Sequence, residues 1–317
     1  MKKIIYFAGG CFWGVEQYAK NIFGVLDCEV GYANGKTAMA RYETLAVSEH
    51  AETVKITYDS QVISLRFLLE LLFYVVDPTS LNKQGNDKGR QYRSGIYYVE
   101  EADVDEIFIF IKNLEKQYKE IVVEVEKLSN YIPAETYHQD YLVKNPKGYC
   151  HIAFDAIRAL KEIKVDPYQY ASLSKQEIRK TLSKKSYDVM MKGMSERPFT
   201  SSYNDFYEDG IYVDRLSNEP LFCSLDKYDA GCGWPSFTKP IDMHSIIEKE
   251  DTSYGMQRVE TIARVSCGHL GHVFEDGPKN QGGMRYCING AALRFVDIDE
   301  MEKEGYGYLE YLFKNDC

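Results

Sequence analysis

Two cysteines in this chain stand where a sulfur could react. Cys11 sits in Gly9-Gly10-Cys11-Phe12-Trp13-Gly14, between a run that reads as a strand and one that reads as a helix. At a helix N-terminus, unsatisfied N–H groups and the helix dipole favour the thiolate, which is the attacking form. The flanking glycines allow a substrate backbone to approach closely, and Phe12 with Trp13 offers an apolar wall. A buried structural cysteine in a strand–helix turn would show the same local features. Cys287 lies in Met284-Arg285-Tyr286-Cys287-Ile288-Asn289, which reads as a strand. Alternation puts Arg285, Cys287 and Asn289 on one face. A cation and an amide beside a thiol favour its ionisation; a half-exposed strand with a chance polar face is the alternative.

Groups able to assist such a sulfur occur elsewhere. In His50 to Tyr58, Glu52 falls on the same face as Val54, Ile56 and Tyr58. A carboxyl on an apolar face keeps its proton and can donate it to a developing oxyanion, whereas a carboxylate at an exposed strand start would be inert. Gln84 to Ser94 is a polar, glycine-bearing loop entering a strand, a place for catalytic groups as well as a connector. Gly231-Cys232-Gly233-Trp234-Pro235-Ser236-Phe237 is a turn-rich aromatic loop, and His269 to Pro278 supplies His269 and His272. A zinc site would need two further ligands that this spacing does not provide, so acid–base or hydrogen-bonding roles are favoured for the histidines.

The elements that must position these groups follow from periodicity. Residues 3–8 read as a strand, Cys11 to about Phe23 as a helix, Thr53 to Tyr58 as a strand and Arg93 to Val99 as another. A helix is expected from Leu65 to Val76, with Ser64 as N-cap and Pro78 beyond. A second runs from about 102 to 119, with Val104, Ile107, Phe108, Ile111, Leu114 and Tyr118 on one stripe. Helical pattern is lost at Ile163 to Tyr168. A new helix then starts at a Ser174/Glu177 capping box with a Leu173/Ile178 staple. After about residue 210, short alternating runs are broken by Gly, Pro, Asn and Asp, which favours a β-rich domain. The organisation expected is a domain over 1–158, a linker over 159–171 and a second domain over 172–317.

Bulk properties narrow the function. The 317 residues suffice for two domains. A net charge of −10 gives no electrostatic reason to bind nucleic acid or an anionic membrane. No apolar run is long enough to span a bilayer. Ile4 to Phe7 is too short for a signal-peptide core and runs into a glycine turn, so it reads as the first strand and the protein as cytoplasmic. Eight cysteines without a Cys-x-x-Cys pair are too few for a disulfide scaffold.

The Gly-Cys-Phe-Trp-Gly run, the His50-Ala51-Glu52 triplet and Gly85-Asn86-Asp87-Lys88-Gly89-Arg90-Gln91-Tyr92-Arg93-Ser94 together resemble methionine sulfoxide reductase A, over about residues 1–158. The resemblance implies that Cys11 is the nucleophile, with Phe12 and Trp13 lining a methyl pocket. It implies that Glu52, Tyr42 and Tyr92 contact the sulfoxide oxygen, that Asp87 supports them, and that Cys150, in Asn145-Pro146-Lys147-Gly148-Tyr149-Cys150, is the recycling cysteine. Residues 172–317 resemble methionine sulfoxide reductase B through Glu219-Pro220-Leu221-Phe222, the Gly-Cys-Gly-Trp-Pro-Ser-Phe loop, His-Leu-Gly-His-Val-Phe and Arg-Tyr-Cys-Ile-Asn. This makes Cys287 the nucleophile and Cys232 its resolving partner, with Trp234, His269, His272 and Asn289 binding substrate. Two departures stand out. Asp214, Ser217, Ala263 and Ser266 occupy positions where many members carry zinc-binding cysteines, so zinc is not expected. Cys267 replaces a usual aspartate and is a competing thiol for Cys232, and Gly290 replaces a usual serine. Cys28, Cys223 and Cys317 are read as bystanders.

The resemblance further implies a ferredoxin-like two-layer α/β sandwich (α+β) first. A mainly β domain of two antiparallel sheets with short N-terminal helices follows. The implied activity is reduction of methionine sulfoxide, free or in oxidised proteins, S epimer at the first site and R epimer at the second. It would proceed through sulfenic acid and disulfide with thioredoxin as reductant, in repair of oxidative damage and with no bound cofactor. A redox sensor, a thiol peroxidase and a noncatalytic peptide-binding protein are the competing classes.

Overall fold

The computed structural model describes residues 1–314. It divides into two units, Met1–Lys161 and a second that begins at Glu162. Cys317 lies outside the described residues.

In the first unit the apolar run at the start forms β1 (Lys2–Gly9), with Ile5 and Phe7 fully buried. Then come α1 (Phe12–Ala19), β2 (Val25–Ala33), β3 (Ala51–Asp59), α2 (Leu65–Tyr74) and β4 (Ser94–Tyr98). α3 (Val104–Glu115), β5 (Glu124–Lys127) and β6 (Tyr131–Pro133) follow. The strands make one mixed sheet in the order β5-β4-β1-β3-β2-β6. Only β4 and β5 pair in parallel. Its four central strands and the helices α1 and α2 run β-α-β-β-α-β. This order brings the end of β1, the start of α1 and the start of β3 side by side, where Cys11 and Glu52 lie.

Helix boundaries follow local chemistry. The Ser64 hydroxyl accepts the Phe67 N–H at 3.2 Å, and α2 stops at Tyr74, ahead of Pro78. α3 departs from the expected stripe. Its buried face is Ile107, Phe110 and Leu114, while Phe108 is 47% exposed and Tyr118, beyond the helix end, 39%. Spacings of three and four choose Phe110 over Phe108 once Ile107 and Leu114 are fixed inward.

The second unit opens with α4 (Lys175–Thr181) and α5 (Lys184–Lys192). The Ser174/Glu177 capping box is present in full. The strands are β7 (Gly210–Asp214), β8 (Pro220–Cys223), β9 (Lys227–Tyr228), β10 (Ser236–Phe237) and β11 (Ile246–Asp251). β12 (Arg258–Ala263), β13 (His269–Phe274), β14 (Arg285–Ile288) and β15 (Leu293–Asp297) complete the set. They form a three-stranded sheet, β8-β7-β15, and a six-stranded one, β9-β10-β14-β13-β12-β11, with every pairing antiparallel.

Part of the stretch expected to be a linker belongs to this unit. Val165 is fully buried in a cluster with Ile211, Val213 and Met301. The Asp242 carboxylate accepts the Lys164 and Val165 N–H groups, both at 2.9 Å. One apolar side chain among polar neighbours is too weak a sequence pattern to announce this.

Candidate active sites

Cys11 is the N-cap residue of α1 and is only 6% exposed. The Trp13 and Gly14 N–H groups favour its thiolate, but burial outweighs them and raises its pKa above the ordinary thiol value. Burial thus opposes the thiolate that the helix start favours. Glu52, at the buried start of β3, adds to this whenever it carries its negative charge. Its carboxyl group accepts the Phe12 N–H at 3.1 Å. Burial pushes Glu52 up to about 8, against the Phe12 hydrogen bond and with help from Asp87. It rests as the neutral acid, able to donate a proton.

Tyr42 and Tyr92 share a hydroxyl–hydroxyl hydrogen bond; burial raises the pKa of both, and Glu52 and Cys11 would add to this when ionised. Phe12 is buried beneath the site, while Trp13 is half-buried. The wall is larger than the sequence indicated. The Trp13 indole stacks on Tyr141 at 3.7 Å and 12°, and its N–H donates to His138 Nδ1 at 3.1 Å. The His138 ring also lies 5.2 Å from Phe12 and 4.9 Å from Tyr42. Tyr32 donates to Glu135 at 2.6 Å, and Glu135 accepts the Tyr42 N–H. His138, Glu135 and Tyr141 come from more than ninety residues away, with no local signal to mark them. Asp87 accepts the Tyr149 hydroxyl at 3.0 Å. A Cβ placed on Gly14 would lie 3.2 Å from the Cys150 sulfur. Tyr149 and Cys150 therefore pack against the same corner as Cys11. Cys28 is buried on β2, away from these groups in the sheet.

In the second unit Cys287 is paired across the sheet with Ser236 on one side and His272 on the other. The Cys232 sulfur lies 3.7 Å from the Cys287 sulfur and 3.4 Å from the Ser236 hydroxyl. Burial pushes Cys287 up to about 12, and neighbouring Cys232 adds to this while Arg285 opposes it. For Cys232 burial acts the same way, but the Ser236 hydroxyl, the Trp234 backbone, Cys287 and Arg285 together bring it below the usual thiol value. Arg285 is held by Asp276 through two hydrogen bonds, at 2.7 and 2.9 Å, and stacks on Phe274.

A cleft of about 140 Å³ opens at Cys287, lined by Trp234, His272, Phe274 and Asn289. His272 Nε2 lies 2.8 Å from Asp251, which also pairs with Arg258. His269 Nδ1 lies 2.6 Å from Glu260. His269 borders an adjoining polar pocket of about 410 Å³. Glu196 was not legible in the sequence, yet it ties the cleft together. Its N–H donates to Asn289 Oδ1 at 2.9 Å, its carbonyl accepts the Trp234 indole N–H at 3.1 Å, and its carboxylate accepts the Gly290 N–H at 2.5 Å. A Cβ at Gly290 would meet the Ser201 hydroxyl at 1.9 Å, so a larger residue there would have to turn that side chain away.

Cys267 is exposed, in a left-handed turn before β13. It precedes His272, the cross-strand neighbour of Cys287, by five residues, or roughly 16 Å of extended chain. Cys232, in contact with Cys287, is the nearer partner. Cys223 is buried on β8. The positions suited to zinc in many relatives supply one carboxylate, two hydroxyls and a methyl group. Asp214 takes the Ser217 hydroxyl at 2.5 Å and also bonds Ser266. This donor set does not fit a tetrahedral thiolate site. Among the described residues no group of three metal-ligating side chains occurs, and no helix is long and apolar enough to cross a membrane.

Both units thus present a thiol, a second thiol and an aromatic wall, the arrangement of a thiol-dependent oxidoreductase. The family model for peptide methionine sulfoxide reductase matches residues 3–167, and that for the SelR domain matches 182–297. The chain belongs to the peptide methionine sulfoxide reductase family, as an A-type domain fused to a B-type domain. It is an oxidoreductase acting on the S and R epimers of peptide methionine sulfoxide. The chain is similar to reduced Mxr1 from Saccharomyces cerevisiae, with 36% identity over 48% of this chain and 91% of that one, TM-score 0.46. It is also similar to methionine sulfoxide reductase A of Corynebacterium diphtheriae, with 32% identity over 47% and 77%, TM-score 0.45.

Proposed function

We propose that the first site reduces the S epimer with Cys11 as nucleophile and Glu52 as proton donor, and that the second reduces the R epimer with Cys287. The observation that carries this is the placement of a second thiol at each nucleophile. Cys232 touches Cys287 at 3.7 Å, and Cys150 packs on Gly14 at the start of α1. At the first site the Cys11 sulfur attacks the sulfoxide sulfur. The oxygen moves to Cys11 and takes a proton from Glu52, with Tyr42 and Tyr92 as hydrogen-bond donors, and the Cys11 thiol proton restores Glu52. Methionine leaves and Cys11 is left as the sulfenic acid. Phe12 and Trp13 hold the methyl group, and Asp87 supports the carboxyl.

At the second site His269, His272 and Asn289 face the oxygen, and Trp234 the methyl group. Each sulfenic acid condenses with its neighbour, Cys11 with Cys150 and Cys287 with Cys232. A thioredoxin-type dithiol reopens the disulfides by exchange. Free and protein-bound methionine sulfoxide are both substrates, and the role is repair of oxidised protein.

Resolved epimers test the assignment. Cys11→Ser is expected to abolish S-epimer reduction and spare R-epimer reduction, and Cys287→Ser to do the reverse. Loss of both activities from either change would refute two separate sites. A redox sensor would turn over neither epimer.

A further inference from the structure

We propose that His151 is the base that readies Cys150 for disulfide formation with Cys11, an inference that rests on reading Cys150 as the recycling thiol. Neighbouring side chains of an extended chain point apart, but here a bend at His151 brings two together. A Cβ on Gly14 would lie 3.2 Å from Cys150 Sγ and 3.1 Å from His151 Nδ1. Sulfur and ring nitrogen converge over one spot on the first turn of α1. The far side of the ring faces the other flank of Cys11, where a Cβ on Gly10 would lie 3.2 Å from Nε2. The ring is therefore seated between the glycines on either side of the nucleophile, and a side chain at either would crowd it.

The surroundings suit a base. Burial lowers the affinity of the ring for a proton, so it is neutral near pH 7, while the Gly9 carbonyl and Asp87 act the other way. Asp87 is the charged group facing the ring, and its other contact is Tyr149 of the same arm. A proton held on Nε2 leaves Nδ1 free on the side of Cys150. Cys150 needs such help, because burial raises its own pKa.

The step balances without an added reagent. His151 takes the Cys150 proton, and the Cys150 sulfur attacks the sulfur of the Cys11 sulfenic acid. The Cys11 S–O bond breaks, and the departing hydroxide takes the proton from His151 and leaves as water. Cys11-SOH and Cys150-SH become one disulfide and one water.

The test uses the full chain, the S epimer and no reductant, with His151→Asn and His151→Gln. First-turnover methionine release reports the chemistry of Cys11. Acid quench, thiol alkylation and mass spectrometry report the Cys11–Cys150 disulfide. Relative to methionine release, disulfide formation is expected to slow about ten-fold or more near pH 7 in both variants. The deficit should shrink as pH rises and Cys150 ionises unaided. Rates equal to wild type near pH 7 overturn the proposal. So does a slowing of the same size at every pH, which is what lost packing alone would give. If the unaltered chain forms no Cys11–Cys150 disulfide, the underlying reading of Cys150 fails instead.

Discussion

As the proposed proton donor, Glu52 would let one buried carboxyl set a working pH range. Its pKa of about 8 comes from desolvation that the Phe12 N–H only partly offsets. The acid donates only while protonated, so S-epimer kcat/KM should hold below about pH 8 and fall as pH rises through it. Glu52→Gln keeps the hydrogen bond from Phe12 through its carbonyl but has no acidic proton. Its S-epimer rate is expected to drop about 100-fold and to lose that descending limb, as a pH–rate profile would show. Undiminished activity in Glu52→Gln would remove the carboxyl from proton transfer. The same residue shows what was legible in advance. Alternation alone put Glu52 on the apolar face with Val54, Ile56 and Tyr58, and all four are buried. Cys11 was legible as a helix start but not as a thiol whose burial outweighs the helix, because burial depends on what the rest of the chain lays over a position.

Among the elements, those with strong local chemistry were readable: β1, the capped helix α2 and the Ser174/Glu177 start of α4. The connecting segments were not, because their contacts are made far along the chain. The stretch around Glu196 is the clearest case. Its backbone binds Asn289 and Trp234, and its side chain binds Gly290 and Lys185. Nothing in Met194-Ser195-Glu196-Arg197 marks it as a strap. Glu196→Ala leaves the Gly290 N–H without its acceptor, a loss of about 1–3 kcal/mol, whereas Lys185 is 46% exposed and can turn to water. R-epimer activity should be lost at a lower temperature and with a raised KM, while S-epimer kinetics stay unchanged. Glu196→Gln should recover most of the difference. Heat-inactivation curves on both epimers would check this, and an unchanged R-epimer curve for Glu196→Ala would contradict it.

For the whole molecule, the proposed chemistry gives each unit its own nucleophile, its own second thiol and its own wall. The chain has eight cysteines, and the proposed chemistry uses four. After exposure to both epimers without reductant, thiol titration should fall from eight to about four. Peptide mapping should find Cys11 joined to Cys150 and Cys287 to Cys232. Cys28, Cys223, Cys267 and Cys317 should remain alkylatable after denaturation. A disulfide involving Cys267 would overturn its exclusion. The two-part organisation was legible from the change of pattern after residue 210, but the place of Val165 in the second core was not, since a single valine carries no period.

The contact between Cys232 and Cys287 has a consequence for survival under peroxide. Sulfurs already 3.7 Å apart need move less than about 2 Å to reach bonding distance. In the proposed chemistry, a sulfenic acid formed on Cys287 is therefore born beside the thiol that traps it. Excess oxidant has little time to carry it on to the sulfinic acid, from which no ordinary dithiol would rescue it.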